Sequence, residues 1–242
     1  DINMGCPVPK VVKNGEGCSL MLKPRLAAEL VRAALSAGRP VSCKFRSGWD
    51  EQNLNAVDFG RCLQRAGATL LAVHARSRRQ MYGGQADWRI IAQVKQAVDV
   101  PVAGNGDVFS AADALALLAA TGCDQIMVGR GMLGNPWLFA DIRCALEGRE
   151  PPGRPAPQII LSTALRHLKR HIERGKHWLA EREGQSRAER EGEELALRAM
   201  RAHLGWYTKG LRNSAALRLR LNQAVSYAEV ESLFASWLCL NH

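Results

Sequence analysis

A chain of 242 residues, 47% hydrophobic and 23% charged, has the size and balance of a soluble globular protein, either one large domain or a medium and a small one. Its net charge of +10, from 33 Lys and Arg against 23 Asp and Glu, suits a polyanionic partner. No apolar run approaches the roughly 20 residues of a bilayer span. The opening residues do not read as a secretory signal, and seven scattered cysteines without CxxC spacing argue against a disulfide framework or a zinc site. The expectation is a cytoplasmic protein with reduced thiols.

In chain order, residues 1–4 read as the end of a strand. β-rich runs follow at 41–45, 70–74, 100–104 and 125–128, alternating with amphipathic segments at 24–36, 54–66, 88–98, 110–120 and 136–146. This alternation implies a parallel sheet covered by helices, either open and doubly wound or closed as a barrel. Polar and glycine residues gather after nearly every strand rather than at one switch point, which selects the (β/α)8 TIM barrel. About five strands are countable where a barrel needs eight. Residues 1–147 are therefore expected to be the C-terminal part of an α/β TIM barrel whose first strands are absent.

Residues 148–157 hold four prolines in the last seven positions and read as a stiff linker. Beyond it every apolar pattern is helical, at 158–179, 193–208, 215–224 and 227–238. The charged stretch 180–194 reads as a solvated helix extension or a loop. Residues 158–242 are thus expected to form a small all-α helical bundle, and residues 151–242 carry 15 Lys and Arg against 9 Asp and Glu.

The chemistry gathers at the strand ends. Cys6, between Gly5 and Pro7, follows the first strand: proline stops the strand and glycine is expected to let the chain turn, projecting the thiol into the barrel mouth. Lys44 and Arg46 alternate at the end of the second strand and so point to one side. A lysine there is seldom structural, since burying an unpartnered ammonium is costly. His74 ends the third strand. Asn105-Gly106-Asp107 and Gly129-Arg130-Gly131 follow the last two, where barrels commonly bind phosphate, with glycines admitting backbone N–H groups and Arg130 supplying charge. This site would suit FMN, its phosphate there and its ring reaching toward Lys44 and His74.

The segments Asp1-Ile2-Asn3-Met4-Gly5-Cys6-Pro7, Lys44-Phe45-Arg46-Ser47-Gly48-Trp49, His74-Ala75-Arg76, Tyr82-Gly83-Gly84-Gln85-Ala86-Asp87-Trp88 and Gly129-Arg130-Gly131-Met132-Leu133-Gly134-Asn135-Pro136-Trp137, with Arg201-Ala202-His203-Leu204-Gly205-Trp206-Tyr207 near the end, together resemble the tRNA-dihydrouridine synthases, most of all their bacterial B-type branch. The resemblance runs nearly end to end. It implies FMN-dependent reduction of uridine to 5,6-dihydrouridine in tRNA, with NADPH as reductant and no Rossmann domain to hold it. Cys6 matches the general acid that protonates C5 after a hydride reaches C6; a thiol, with an ordinary pKa near ~8.5, is protonated at neutral pH yet yields its proton readily. Asn3, Arg46 and Arg76 match substrate contacts, while Lys44, His74, Asn105, Gly106, Asp107, Gly129 and Arg130 match flavin contacts. Arg198, Arg201 and His203, with Lys169 and Arg170, would hold RNA while the target base is flipped out of its stack. Trp206 and Tyr207 read as core. Family members carry about a hundred more residues ahead of Asp1, so this span alone is expected to be inactive.

Two other readings compete. One is an FMN barrel acting on a small molecule, like dihydroorotate dehydrogenase, which leaves the basic helical region unexplained. The other is a non-catalytic RNA-binding fragment, against which Cys6, Lys44 and His74 stand.

Overall fold

The computed structural model describes residues 1–241; His242, the last residue of the expected helical region, lies outside them. The backbone groups into two compact units that interleave along the chain. The first comprises Asp1–Gly131 and Ala140–Pro151, and the second Met132–Phe139 and the residues from Pro152 onward.

The first unit is a five-stranded parallel sheet: β1 (Ile2–Met4), β2 (Ser42–Arg46), β3 (Leu70–His74), β4 (Val102–Asn105) and β5 (Gln125–Met127). Helices α1 (Pro9–Lys13), α2 (Pro24–Leu35), α3 (Ala56–Arg65), α4 (Arg89–Ala97) and α5 (Ala111–Thr121) connect the strands. Spatial order equals sequence order, β1-β2-β3-β4-β5, with no reversal. A doubly wound sheet reverses at a switch point, whereas a barrel adds each strand beside the last. This unit is therefore part of a TIM barrel.

Period-two alternation sorts the strand residues onto two faces. Met4, Cys43, Phe45, Leu71, Val73 and Val102 are buried, and Phe45 meets Phe59 of α3 edge to face at 5.3 Å. Gly104 lies on this face too, where an added Cβ would come within 2.7 Å of Leu117 in α5. The other face carries the register rows Asn3–Lys44–Ala72–Ala103–Gln125 and Arg46–His74–Asn105–Met127. The helix side of the sheet is thus wholly apolar, while the opposite side holds charged and amide groups at its C-terminal end.

The second unit holds α7 (Pro157–Glu183), α8 (Gln185–Tyr207), α9 (Ser214–Gln223) and α10 (Tyr227–Leu240), following α6 (Leu138–Leu146), which spans a boundary between the units. Residues 160, 161, 164, 168 and 172 of α7 form one helical stripe against Leu197, Met200, Leu204 and Tyr207 of α8 and Val230, Phe234 and Trp237 of α10. The charged stretch 180–194 is helical except for a break at Gly184. Arg154 from the proline-rich segment donates to the Tyr207 carbonyl at 3.3 Å and to that of Lys209, closing the C-terminal end of α8.

Residues 132–139, placed by their sequence with the strands, group instead with the helices. Trp137 packs on the helical core and meets Tyr207 edge to face at 6.4 Å. Gly134, at φ 69°, lies against the Trp206 and Tyr207 backbone so closely that an added Cβ would overlap it.

Candidate active site at the strand ends

The polar face of the sheet opens on a cavity of about 510 Å³, lined by residues from the C-terminal ends of all five strands. Four cations, Lys44, Arg46, Arg76 and Arg130, face one carboxylate, Asp107, so the cavity suits an anion. Its size lies within the range of cofactor and small-molecule sites.

Cys6 lies on this lining. Its turn is not made by glycine's left-handed freedom, as the sequence led one to expect, for Gly5 has no positive φ. Instead Asn3 Oδ1 accepts the Gly5 and Cys6 backbone N–H groups at 3.0 and 3.1 Å, folding the chain over its own side chain. The Gly5 carbonyl is gripped in turn by Arg46 Nε at 3.0 Å and by the Cys18 thiol at 3.1 Å. Burial pushes the Cys18 thiol up to about 11, so it stays a neutral donor.

Arg46, 2% exposed, also donates to the Ser77 and Met81 carbonyls, at 3.0 and 2.8 Å. Arg76, equally buried, donates to the Gly83 and Gly84 carbonyls and forms a bidentate pair with Asp107 at 2.8 and 2.7 Å. Both guanidiniums therefore fix loops as well as line the cavity. Asp107 accepts further bonds from the Ala86 N–H at 2.8 Å and from Arg130 at 3.0 Å. Burial alone would raise its carboxyl, but Arg76, the Ala86 N–H and Arg130 together hold it below the usual carboxylate range. With its oxygens so occupied, Asp107 orients Arg130 rather than meeting an anion itself.

The turn before it is tight. Gly106 has φ 136° and Asp107 φ 54°; a Cβ on Gly106 would come within 2.7 Å of Ala86 Cβ. The Trp88 indole donates to the Gly106 carbonyl at 2.9 Å, and Asn105 Nδ2 to the Met127 carbonyl at 2.7 Å. The motif from Tyr82 to Trp88 thus serves to hold the Asn105-Gly106-Asp107 turn.

Lys44 and His74 are placed differently. Each lines the cavity with no hydrogen-bonding or ion-pair partner for its side chain among the described residues. Burial, reinforced by Arg46, lowers the Lys44 ammonium from its ordinary value. Burial, then Arg46, Lys44 and Arg76, drives His74 down to about 3, so the imidazole is neutral at working pH. Gly129 lines the same cavity, and an added Cβ there would meet nothing within 4 Å.

Two aromatic residues escaped the sequence reading as site components. Tyr82 is 56% and Phe109 51% exposed, and the Arg130 guanidinium lies over both rings, at 4.9 and 5.6 Å from their centroids. Arg46 lies 5.8 Å from the Tyr82 centroid on its own account. The signal available was Tyr82 directly before Gly83-Gly84, in the loop that follows Arg76.

The expected RNA contacts are dispersed over the helical unit. Lys169 and Arg170 are exposed on α7. Arg198 on α8 is paired with Glu194 at 2.6 Å. His203 lies between the rings of His167 and Trp206, at 5.4 and 4.7 Å, and burial lowers its imidazole. Arg201 lines a groove between α8 and α9 together with Trp206, which is half-buried, while Tyr207 is core. No group of three or more His, Cys, Asp or Glu among the described residues could hold a metal, and no described helix is long and apolar enough to cross a membrane.

The family model described as dihydrouridine synthase (Dus) matches residues 1–236. A probable tRNA-dihydrouridine synthase of Mycobacterium leprae is 40% identical over 238 residues, covering 96% of this chain and 58% of that protein. A probable tRNA-dihydrouridine synthase 1 of Synechocystis is 41% identical over 234 residues, covering 96% and 61%. The tRNA-dihydrouridine synthase B of Pseudomonas aeruginosa is 36% identical over 226 residues, covering 92% and 63%. The chain thus spans less than two thirds of the length of these relatives.

Proposed function

The chain belongs to the dihydrouridine synthase family, and from that premise we propose that the protein carrying it reduces a uridine of tRNA to 5,6-dihydrouridine. The supporting observation is the pair of unpartnered side chains, Lys44 and His74, in a cationic cavity beside the Cys6 turn. That donor set fits FMN: four cations against one carboxylate suit its phosphate and polar ring edge, and 510 Å³ suits its bulk. Lys44, His74, Asn105, Gly106, Gly129 and Arg130 would hold it, with Asp107 keeping Arg130 in place. When bound there, FMN supplies the hydride for C6 of uracil, its electrons coming from NADPH.

The residues of this chain perform the rest. The Asn3–Gly5–Arg46 network fixes the Cys6 backbone, and Cys6 Sγ gives its proton to C5, completing the two-electron, two-proton reduction of the 5,6 double bond. Asn3 and Arg46 border the base, and Arg76 acts through Asp107 and the 83–84 loop rather than by direct contact. His74, being neutral, offers one donor and one acceptor nitrogen and supplies no positive charge. Tyr82 and Phe109, exposed at the mouth, give a flipped-out base an aromatic surface to meet. The basic helix α7 and the arginines of α8 would grip the RNA backbone. A cytoplasmic location accords with this substrate.

The test is deletion of the gene in its host, followed by measurement of dihydrouridine in the tRNA. Loss at one or more positions, restored by the gene, is the expected result. An unchanged dihydrouridine content in the deletion overturns the proposal.

A further inference from the structure

The helical unit contains a second cavity, an open groove of about 500 Å³ between α8 and α9. Arg201, Lys209 and Arg218 line it, and no Asp or Glu does. We propose that this groove binds one unpaired nucleotide of an RNA chain, its phosphate on the three cations and its base against the Trp206 indole.

Each wall is specific. Arg201 Nε is buried and has no hydrogen-bond partner among the described residues, so this guanidinium lacks the internal acceptors that Arg46 and Arg76 possess. Arg218 is held by its donation to Ser214 Oγ at 2.7 Å, which sets its position before any ligand arrives. Lys209 is exposed, with no ion-pair partner for its ammonium among the described residues. The carbonyls at the end of α8, which would repel an anion, are covered by Arg154 at Tyr207 and Lys209. Ser214 starts α9, whose first-turn N–H groups favour negative charge on the same side.

The indole and an amide argue for a nucleotide rather than bare phosphate. Trp206 is half-buried, and its ring is held edge-on by His203 at 4.7 Å and 79°. Asn222 adds a side-chain donor and acceptor at the groove. Base faces are free to stack in single strands and loops but covered in a duplex, so the groove selects an unpaired position. The choice of RNA rests on the reading of the strand-end cavity. The tests are separate, because host dihydrouridine reports on that cavity and the titration below on this groove.

The experiment titrates the 242-residue chain with a short single-stranded oligouridylate and with an RNA duplex of equal length, following indole fluorescence and a labelled RNA in parallel. The single strand is expected to bind more tightly and quench the fluorescence. Arg201→Gln with Arg218→Gln is expected to weaken it about 10-fold, and Trp206→Leu to abolish the quench and the preference over duplex. Should circular dichroism show the double variant misfolded, Lys209→Gln, at an exposed position, provides the same comparison with a smaller loss. Equal affinity for duplex and single strand, or affinity unmoved in the folded variants, overturns the proposal.

Discussion

Arg76 in the α/β unit and Arg198 in the helical unit are both bonded to a carboxylate, yet the two bonds do different work. The Arg76 side chain is 2% exposed, and its bonds to Asp107, Gly83 and Gly84 draw two loops into one turn. Arg198 is 60% exposed and meets only Glu194, one helical turn away on the same face. The first pair is internal framework, costly to break because a buried charge would be left alone. The second is a solvated pair of small worth, whose carboxylate an RNA phosphate could replace. In this chain a cation's role follows from what its donors already hold, and sign and position on an element do not reveal that.

The largest expected break in this contrast comes from a residue outside both pairs. In the protein made from its own gene, Cys6→Ala should cut dihydrouridine formation by about 10²–10⁴-fold, the usual worth of a positioned proton donor. Flavin content should stay unchanged; a wild-type rate in this variant would remove Cys6 from the chemistry. Next comes the framework itself. Arg76→Met should destabilise the α/β unit by about 3 kcal/mol, since it takes the bidentate donor from Asp107 and strands the Gly83 and Gly84 carbonyls. Urea unfolding followed by tryptophan fluorescence would show one transition moving while that of the helical unit stays in place. If both moved together, the units would not unfold separately.

His74 sharpens the contrast through pH. Its native value of about 3 lies below the ordinary 6.5, so the unfolded chain binds a proton that the folded one refuses. Above pH 6.5 the residue contributes nothing to pH dependence. From there down toward 3 it should cost about 1.4 kcal/mol of stability per pH unit. His74→Gln should flatten that part of the curve, and an equally steep curve in the variant would mean His74 titrates normally. The smallest effect is at the surface. Arg198→Ala should change the stability by under about 0.5 kcal/mol and lower the salt dependence of RNA binding by about one contact at most. A loss comparable to that from altering Arg201 would place Arg198 in an RNA contact rather than a solvated pair.

Much of this was legible in the sequence, and the reasons can be stated residue by residue. β3 begins and ends at the expected Leu70 and His74, because four apolar residues closed by a polar one admit little else. Lys44 and Arg46 share a face because strand side chains alternate, and the sequential order of strands follows from repeated βα units. What could not be read was hydrogen-bond allegiance. Nothing local distinguishes Arg130, which faces the cavity, from Arg76, whose acceptors at Gly83, Gly84 and Asp107 are brought to it by loop closure. Asp107 looked like a ligand group in a glycine turn and serves as an anchor. Asn3 took over the turn credited to Gly5. Trp206 and Tyr207 are adjacent and chemically alike, but a helical step of about 100° puts one at a groove and the other in the core.

The crossing of residues 132–139 into the helical unit bears on how such a protein can be inherited. A recombination event at the proline-rich segment would join a new helical bundle to the old Met132–Phe139, leaving Gly134 and Trp137 to face a helix end they were not selected with. Because Gly134 lies against the backbone of Trp206 and Tyr207, any side chain at position 134 is felt by that helix end. The bundle is therefore expected to travel between lineages only together with the stretch after Arg130-Gly131. The segment from Met132 to Phe139 and the helix of Trp206 and Tyr207 should vary as one hereditary block despite the roughly seventy residues between them.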